Sequence, residues 1–176
     1  MKEENGKEKN LYPDTDLPPV QEDFREDIQW KVFRVMAELV EGFHFLGGLE
    51  KTITIFGSSR MSSDNPYYKE AEQLGELLAE NKFTVITGGG PGIMQAANKG
   101  ARQKNGESVG INIQLPSGQR INKYVTQGIG FHYFFTRKLM LAFSSKAYVF
   151  FPGGFGTLDE FFEMVTLVQT KKLDHP

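Results

Sequence analysis

The chain has 176 residues, no cysteine, and 20 Lys and Arg against 22 Asp and Glu, for a formal net charge of -2. That length suits a single domain, and 39% apolar with 12% aromatic residues is enough to fold it without a staple. The near-neutral charge offers no general attraction for nucleic acid or an anionic membrane, and the lack of Cys excludes disulfides, thiolate zinc sites, iron-sulfur clusters and thiol nucleophiles. With no long apolar run and no apolar signal stretch in the first ten residues, a soluble, unexported, cytoplasmic protein is expected.

Residues 1–27 are dominated by charge and interrupted by Pro13, Pro18 and Pro19, which reads as a charged, disordered tail with no role of its own. A single domain is expected over 28–176. Ile28, Val32, Val35, Leu39, Phe43 and Leu46 recur at spacings of three and four, the stripe of an amphipathic helix that Gly47 and Gly48 end. Residues 52–56 (TITIF) read as a strand. A helix starts near Pro66 and turns Ala71, Leu74, Leu77 and Leu78 inward. A strand over 83–87 (FTVIT), a helix over 93–103, an extended stretch over 108–113 (SVGINI), a helix over 136–144, a fourth strand over 148–151 (YVFF) and a helix from Thr157 towards Gln169 complete the series. Strands alternating with helices imply right-handed βαβ units, so the fold class is α/β, Rossmann-like, with a parallel sheet covered by helices on both faces.

In such sheets ligands bind beyond the carboxyl ends of the strands. Three strands end there in small-residue turns: 57–60 (GSSR), 88–92 (GGGPG) and 152–157 (PGGFGT). Glycine lets a ligand approach the backbone, and free amides at a helix N-terminus attract anions, so a phosphorylated ligand is expected. Gly88, Gly90 and Gly92 are spaced G-x-G-x-G, with Ile93 where a dinucleotide fingerprint needs glycine, which disfavours NAD. Gly156-Thr157 lacks the lysine of a P-loop, and His44, His132 and His175 are scattered, so neither a P-loop nucleotide site nor a metal is implied. No cofactor is expected.

The stretches 55–60 (IFGSSR), 88–94 (GGGPGIM), 136–138 (TRK) and 152–160 (PGGFGTLDE) resemble the LONELY GUY (LOG) family, long labelled "lysine decarboxylase"; the last carries the PGGxGTxxE signature. The resemblance implies a Rossmann-like homodimer that hydrolyses the N-glycosidic bond of nucleoside 5'-monophosphates, AMP-like or cytokinin ribosides, to free base and ribose 5-phosphate. It implies Arg137 and Glu160 as the catalytic pair. It places the phosphate cradle on Gly153, Gly154, Gly156 and Thr157, with Gly57, Ser58, Gly89, Gly90 and Gly92 nearby and Lys138 as a secondary contact. Against the family pattern, the middle loop reads Leu115-Pro116-Ser117-Gly118-Gln119 where longer members carry an acidic residue, and the chain stops where the pattern continues. A truncated chain or a sheet short by an edge is therefore expected.

The residues themselves leave alternatives. Thr157-Leu158-Asp159-Glu160 is also a T-x-x-E capping box, in which Glu160 only bonds back to the Thr157 N–H and Glu160→Gln changes little. Read catalytically, a carboxylate one turn into a phosphate-binding helix faces the sugar and stabilises an oxocarbenium-like state or activates water. Asp159 points elsewhere, and Arg137 orients Glu160 or binds ribose or phosphate. Phe131, Tyr133, Phe134 and Phe135 are either base-stacking or core residues. A non-catalytic carrier of a nucleotide or molybdenum cofactor is the alternative to a hydrolase. Amino-acid decarboxylation has only Lys146, at a strand start, as a Schiff-base candidate and is set aside. The partners expected are a nucleoside monophosphate and a second copy of the chain.

Overall fold

The computed structural model describes residues 28–114 and 121–173, so the tail 1–27, the stretch 115–120 that holds the middle loop and the end 174–176 lie outside the described residues. In chain order the elements are α1 (Ile28–Gly47), β1 (Thr52–Phe56), α2 (Pro66–Glu80), β2 (Thr84–Thr87), α3 (Ile93–Gln103), β3 (Ser108–Ile113), β4 (Gln127–Phe131), α4 (Phe134–Phe143), β5 (Ala147–Phe150) and α5 (Phe155–Gln169). The strands form one sheet in the order β4-β3-β2-β1-β5, with every pairing parallel.

β1 is the point at which the order reverses: β2, β3 and β4 step away on one side and β5 lies on the other. Loops leaving β1 and β5 therefore part towards opposite faces and leave a crevice between them, the usual ligand position in doubly wound sheets. Alternate side chains divide the core. Ile55 and Val85 face α2 and α3 in one cluster, whereas Phe56, Ile86, Ile111 and Phe131 face α1 and α4 in the other. A third, smaller cluster holds α5 through Met164 against Ala142, Tyr148 and Phe150.

The nine expected elements are present with shifts at their ends. The strand that sequence reading lacks is β4, whose five residues QGIGF include two glycines and little β-propensity. It is a strand because Ile129 and Phe131 find buried places opposite Ile111 and Ile113 in the ladder with β3. Pairing and burial override propensity there. Phe131 is accordingly core, 1% exposed, which of the two readings open to it leaves the core one.

α2 and α3 touch backbone to backbone at two glycines. A Cβ on Gly100 would collide with the Glu72 carbonyl, and one on Gly75 with the Ala97 carbonyl. Gly→Ala in an exposed helix gains up to about 1 kcal/mol from helix propensity. In this interface the sign reverses: Gly100→Ala should destabilise the protein by about 1–3 kcal/mol in urea unfolding, because the helices must separate to admit the methyl group.

Candidate functional site

The three glycine turns form one edge because Ser58 joins them. Its N–H donates to the Pro152 carbonyl (3.2 Å), and its carbonyl accepts from Ile93 N–H (3.0 Å) at the start of α3. Its hydroxyl accepts from Arg60 N–H (3.1 Å). Gly92, at φ 69°, takes the left-handed conformation at the α3 N-cap, where a Cβ would strike the Ser58 carbonyl. Gly57 packs on the Ile93 side chain, so Gly57 and Gly92 serve the turn and its packing.

The central turn is fixed from below by a buried polar network. Asn98, wholly buried on α3, accepts from Thr87 Oγ1 (2.7 Å) and donates to Ser108 Oγ (2.8 Å). Thr87 Oγ1 in turn accepts from Gly89 N–H (2.9 Å). Asn122 closes the turn from above: its amide nitrogen donates to the Gly89 and Gly90 carbonyls (3.2 and 3.1 Å) and to Asn98 Oδ1 (3.0 Å). Each member satisfies another, which is what makes burial of these groups tolerable.

The helix N-termini are not equally available to an anion. Asn65 caps α2 by accepting from Tyr67 N–H (2.9 Å). The first amide of α3 is used by Ser58. At α4 the carboxylate of Glu38, from α1, accepts from His132 N–H (2.8 Å) and Tyr133 N–H (3.4 Å). α5 has no side-chain cap: its N-cap is Gly154, and Phe155, Gly156 and Thr157 open the first turn on an exposed loop. A Cβ on Gly154 or Gly156 would meet nothing within 4 Å, so the space above these amides is open. The positive end of the α5 dipole is thus offered to solvent.

Because α5 starts at Phe155, Thr157 is its third residue and no T-x-x-E box forms. Glu160 instead lies buried one turn further on, and its Oε2 has no hydrogen-bond partner among the described residues. Burial raises its pKa to about 7, opposed by Arg137 and Lys138 and reinforced by Glu163 and Asp159. Arg137, on α4, sends Nε to the Ile111 carbonyl (2.9 Å) and rests its guanidinium against Gly88, where a Cβ would collide with it. Burial lowers the Arg137 pKa, and the attraction of Glu160 opposes that shift. The two groups act on each other electrostatically, and no direct ion pair of 4.0 Å or less joins them among the described residues. Lys138 pairs with Asp159 (2.9 Å) and Glu163 (3.0 Å), tying α4 to α5 beside Glu160. That is its place in this structure, in contrast to the phosphate contact expected of it.

The edge therefore gathers Gly153, Gly154, Gly156, Thr157 and Glu160 on β5–α5, Arg137 on α4, Ser58 on β1–α2, and Gly89 and Gly90 after β2. Sequence reading missed Glu38, Asn98 and Asn122. Asn98 is a polar residue in the Ala-rich buried face of α3, which is a legible signal; Glu38 and Asn122 carry none, since the groups they join to lie far away in sequence. Among the described residues no group of three His, Cys, Asp or Glu side chains is placed to hold a metal ion, and no helix is long and apolar enough to cross a membrane.

Fold and edge define a Rossmann-like α/β protein with an uncapped, exposed terminus on α5 and, beside it, a buried carboxyl on which a guanidinium acts. Residues 94–176 match the family described as "Possible lysine decarboxylase". An uncharacterized protein of Archaeoglobus fulgidus is 35% identical over 55% of this chain and 63% of its own length. A probable cytokinin riboside 5'-monophosphate phosphoribohydrolase of Oryza sativa subsp. japonica is 28% identical over 69% of this chain and 50% of its own. The chain is similar to these proteins, and it spans between half and two thirds of the length of these two curated relatives. Among solved structures, the molybdenum cofactor carrier protein of Chlamydomonas reinhardtii shares the fold, at 24% identity and a TM-score of 0.59 over 68% of this chain and 73% of that one. The molybdenum cofactor binding protein of Rippkaea orientalis is 27% identical, with a TM-score of 0.55 over 65% of this chain and 69% of that one.

A buried acid with a raised pKa leaves a mark on stability. The folded state disfavours the charged carboxylate, so the contribution of Glu160 is fully present below its ordinary value of 4.5 and is lost as pH rises through about 7. Glu160→Gln removes the titration. The stability of the variant relative to the parent should therefore rise by about 2–3 kcal/mol between pH 5 and pH 8, as read by urea unfolding at each pH.

Proposed function

We propose that this protein hydrolyses the N-glycosidic bond of a nucleoside 5'-monophosphate, AMP or an N6-modified relative, to free base and ribose 5-phosphate. The observation that carries the reading is Glu160: a buried, unpartnered carboxyl, one turn beyond the open amides of Phe155, Gly156 and Thr157, with the Arg137 guanidinium acting on it. A phosphate on those amides puts the ribose over the next turn of the helix, within reach of that carboxyl. Burial without a partner costs stability, which is how a group kept for reaction differs from one kept for the fold.

In the chemistry this supports, the bond from C1' to the base nitrogen breaks while water adds to C1'. Ionised Glu160 stabilises the positive charge that develops on the sugar and takes the proton from the attacking water; the base leaves with the bonding electrons and is protonated. Arg137 holds Glu160 towards its ionised form by attraction. Turnover should accordingly rise with pH and level off above about 7.

A carrier of a nucleotide or of molybdenum cofactor is the second reading, favoured by the likeness to the Rippkaea orientalis protein. Turnover separates the two. Purified protein should release ribose 5-phosphate from AMP, and Glu160→Gln should lower kcat by about 100-fold or more while AMP still binds in calorimetry. Arg137→Ala should also slow turnover, and the double variant should lose little beyond the worse single one if the two residues act as a unit. Adenosine should bind more weakly than AMP, because the α5 amides respond to phosphate charge. Binding of AMP without release of base would leave the carrier reading standing.

The same face of the sheet bears a wide apolar surface: Phe33 and Val40 on α1, Phe134 on α4 and Phe162 on α5 are each more than half exposed. We propose that a second copy covers it, giving a homodimer. Light scattering at micromolar concentration should return twice the chain mass of 19.9 kDa.

A further inference from the structure

We propose that Glu38, on α1, is a positioning residue for Arg137: its carboxylate fixes the start of α4 and thereby the place from which the Arg137 guanidinium acts on Glu160. This rests on the hydrolase reading for its catalytic consequence, although the geometry stands without it. Glu38 Oε1 accepts from His132 N–H (2.8 Å), and Oε2 lies 3.4 Å from Tyr133 N and 2.6 Å from Thr136 Oγ1. All three donors belong to the turn that opens α4, whose N-cap, Tyr133, makes no side-chain cap of its own. A carboxylate there meets the positive end of the helix dipole as well as its free amides.

Arg137 follows Thr136 directly, and Thr136 is fully buried. From that point the Arg137 side chain reaches the Ile111 carbonyl and the one surface that Gly88 leaves open for it. An α-helix advances about 1.5 Å and turns about 100° per residue, so a slip of one position at the N-terminus would take the guanidinium off both contacts. The rest of the α1–α4 contact is apolar: Leu39, Phe45 and Leu46 lie against the core cluster to which Met140 and Leu141 belong, and Gly42 against Met140. Apolar packing tolerates sliding; three directed hydrogen bonds to one carboxylate do not. α1 lies outside the segment 94–176 that matches the family, so that match does not cover this link.

Two variants and three readouts test it. In Glu38→Ala, kcat for AMP should fall about tenfold with KM within about twofold, since the arrangement of the reacting groups is disturbed and the α5 amides are not. The pH at which turnover levels off should move upward, because Glu160 loses part of the Arg137 attraction while Lys138, Asp159 and Glu163 still face it. Phenylglyoxal should modify Arg137 several-fold faster than in the parent, relative to Arg60 and Arg102 in the same digest. Glu38→Gln, which keeps one acceptor oxygen, should fall between the two and covers the case in which Glu38→Ala does not fold. A folded variant with an unmoved pH profile and unchanged Arg137 modification overturns the proposal and leaves Glu38 a cap for stability alone. If the parent releases no ribose 5-phosphate, the hydrolase reading fails, and the Arg137 modification rates still decide whether Glu38 positions it.

Discussion

Two main-chain hydrogen bonds of Ser58 hold the ligand edge of this molecule together. One reaches the turn after β5 and the other the start of α3, so three strand ends that belong to opposite faces of a doubly wound sheet move as one edge. They are possible only because β1 sits where the strand order reverses, with β2 and β5 as its two neighbours. The glycines on either side answer to that clasp. Gly92 must turn left-handed beneath the Ser58 carbonyl, and Gly57 must leave room for Ile93. Away from that clasp, the first turn of α5 stands uncapped and exposed, with its amides open to an anion.

Polar burial is handled in two opposite ways within a short distance. Asn98, Thr87, Ser108 and Asn122 satisfy one another and make the central glycine turn rigid. Thr54, with Ser144 and Ser145 (2.8 and 2.6 Å), does the same beneath β1 and β5. Glu160 is left out of every such network. A carboxyl in that condition keeps a pKa near neutrality and an oxygen ready for another partner, at a cost in stability that the surrounding networks offset.

The helices over α4 and α5 show how charge is kept in register with that carboxyl. Lys138 spans from α4 to Asp159 and Glu163 on α5, and Arg137, its neighbour in sequence, turns inward to Ile111. Adjacent residues on one helix thus serve different surfaces, one binding the two helices and the other acting on Glu160. Burial opposes the charge on Lys138, yet its bonds to Asp159 and Glu163 hold its pKa above the ordinary lysine value. It acts as a permanent positive brace.

Local chemistry was enough for the α/β class and for the three glycine turns, because hydrophobic period and motif spacing are properties of contiguous residues; Arg137 and Glu160 became a candidate pair only through the family resemblance. β4 was illegible: a QGIGF segment becomes a strand only when β3 supplies a partner ladder and a buried face. So was the absence of a capping box at Glu160, since Thr157-Leu158-Asp159-Glu160 fits that motif until the helix is seen to begin at Phe155. Lys138 could not be told from a phosphate contact without the acids of α5 standing opposite it, and Glu38 could not be found at all, because its partners, two backbone amides and a threonine hydroxyl, lie more than 90 residues away. Sequence determined which groups were available; the tertiary structure decided which were satisfied, because hydrogen-bond satisfaction depends on neighbours that only folding brings together.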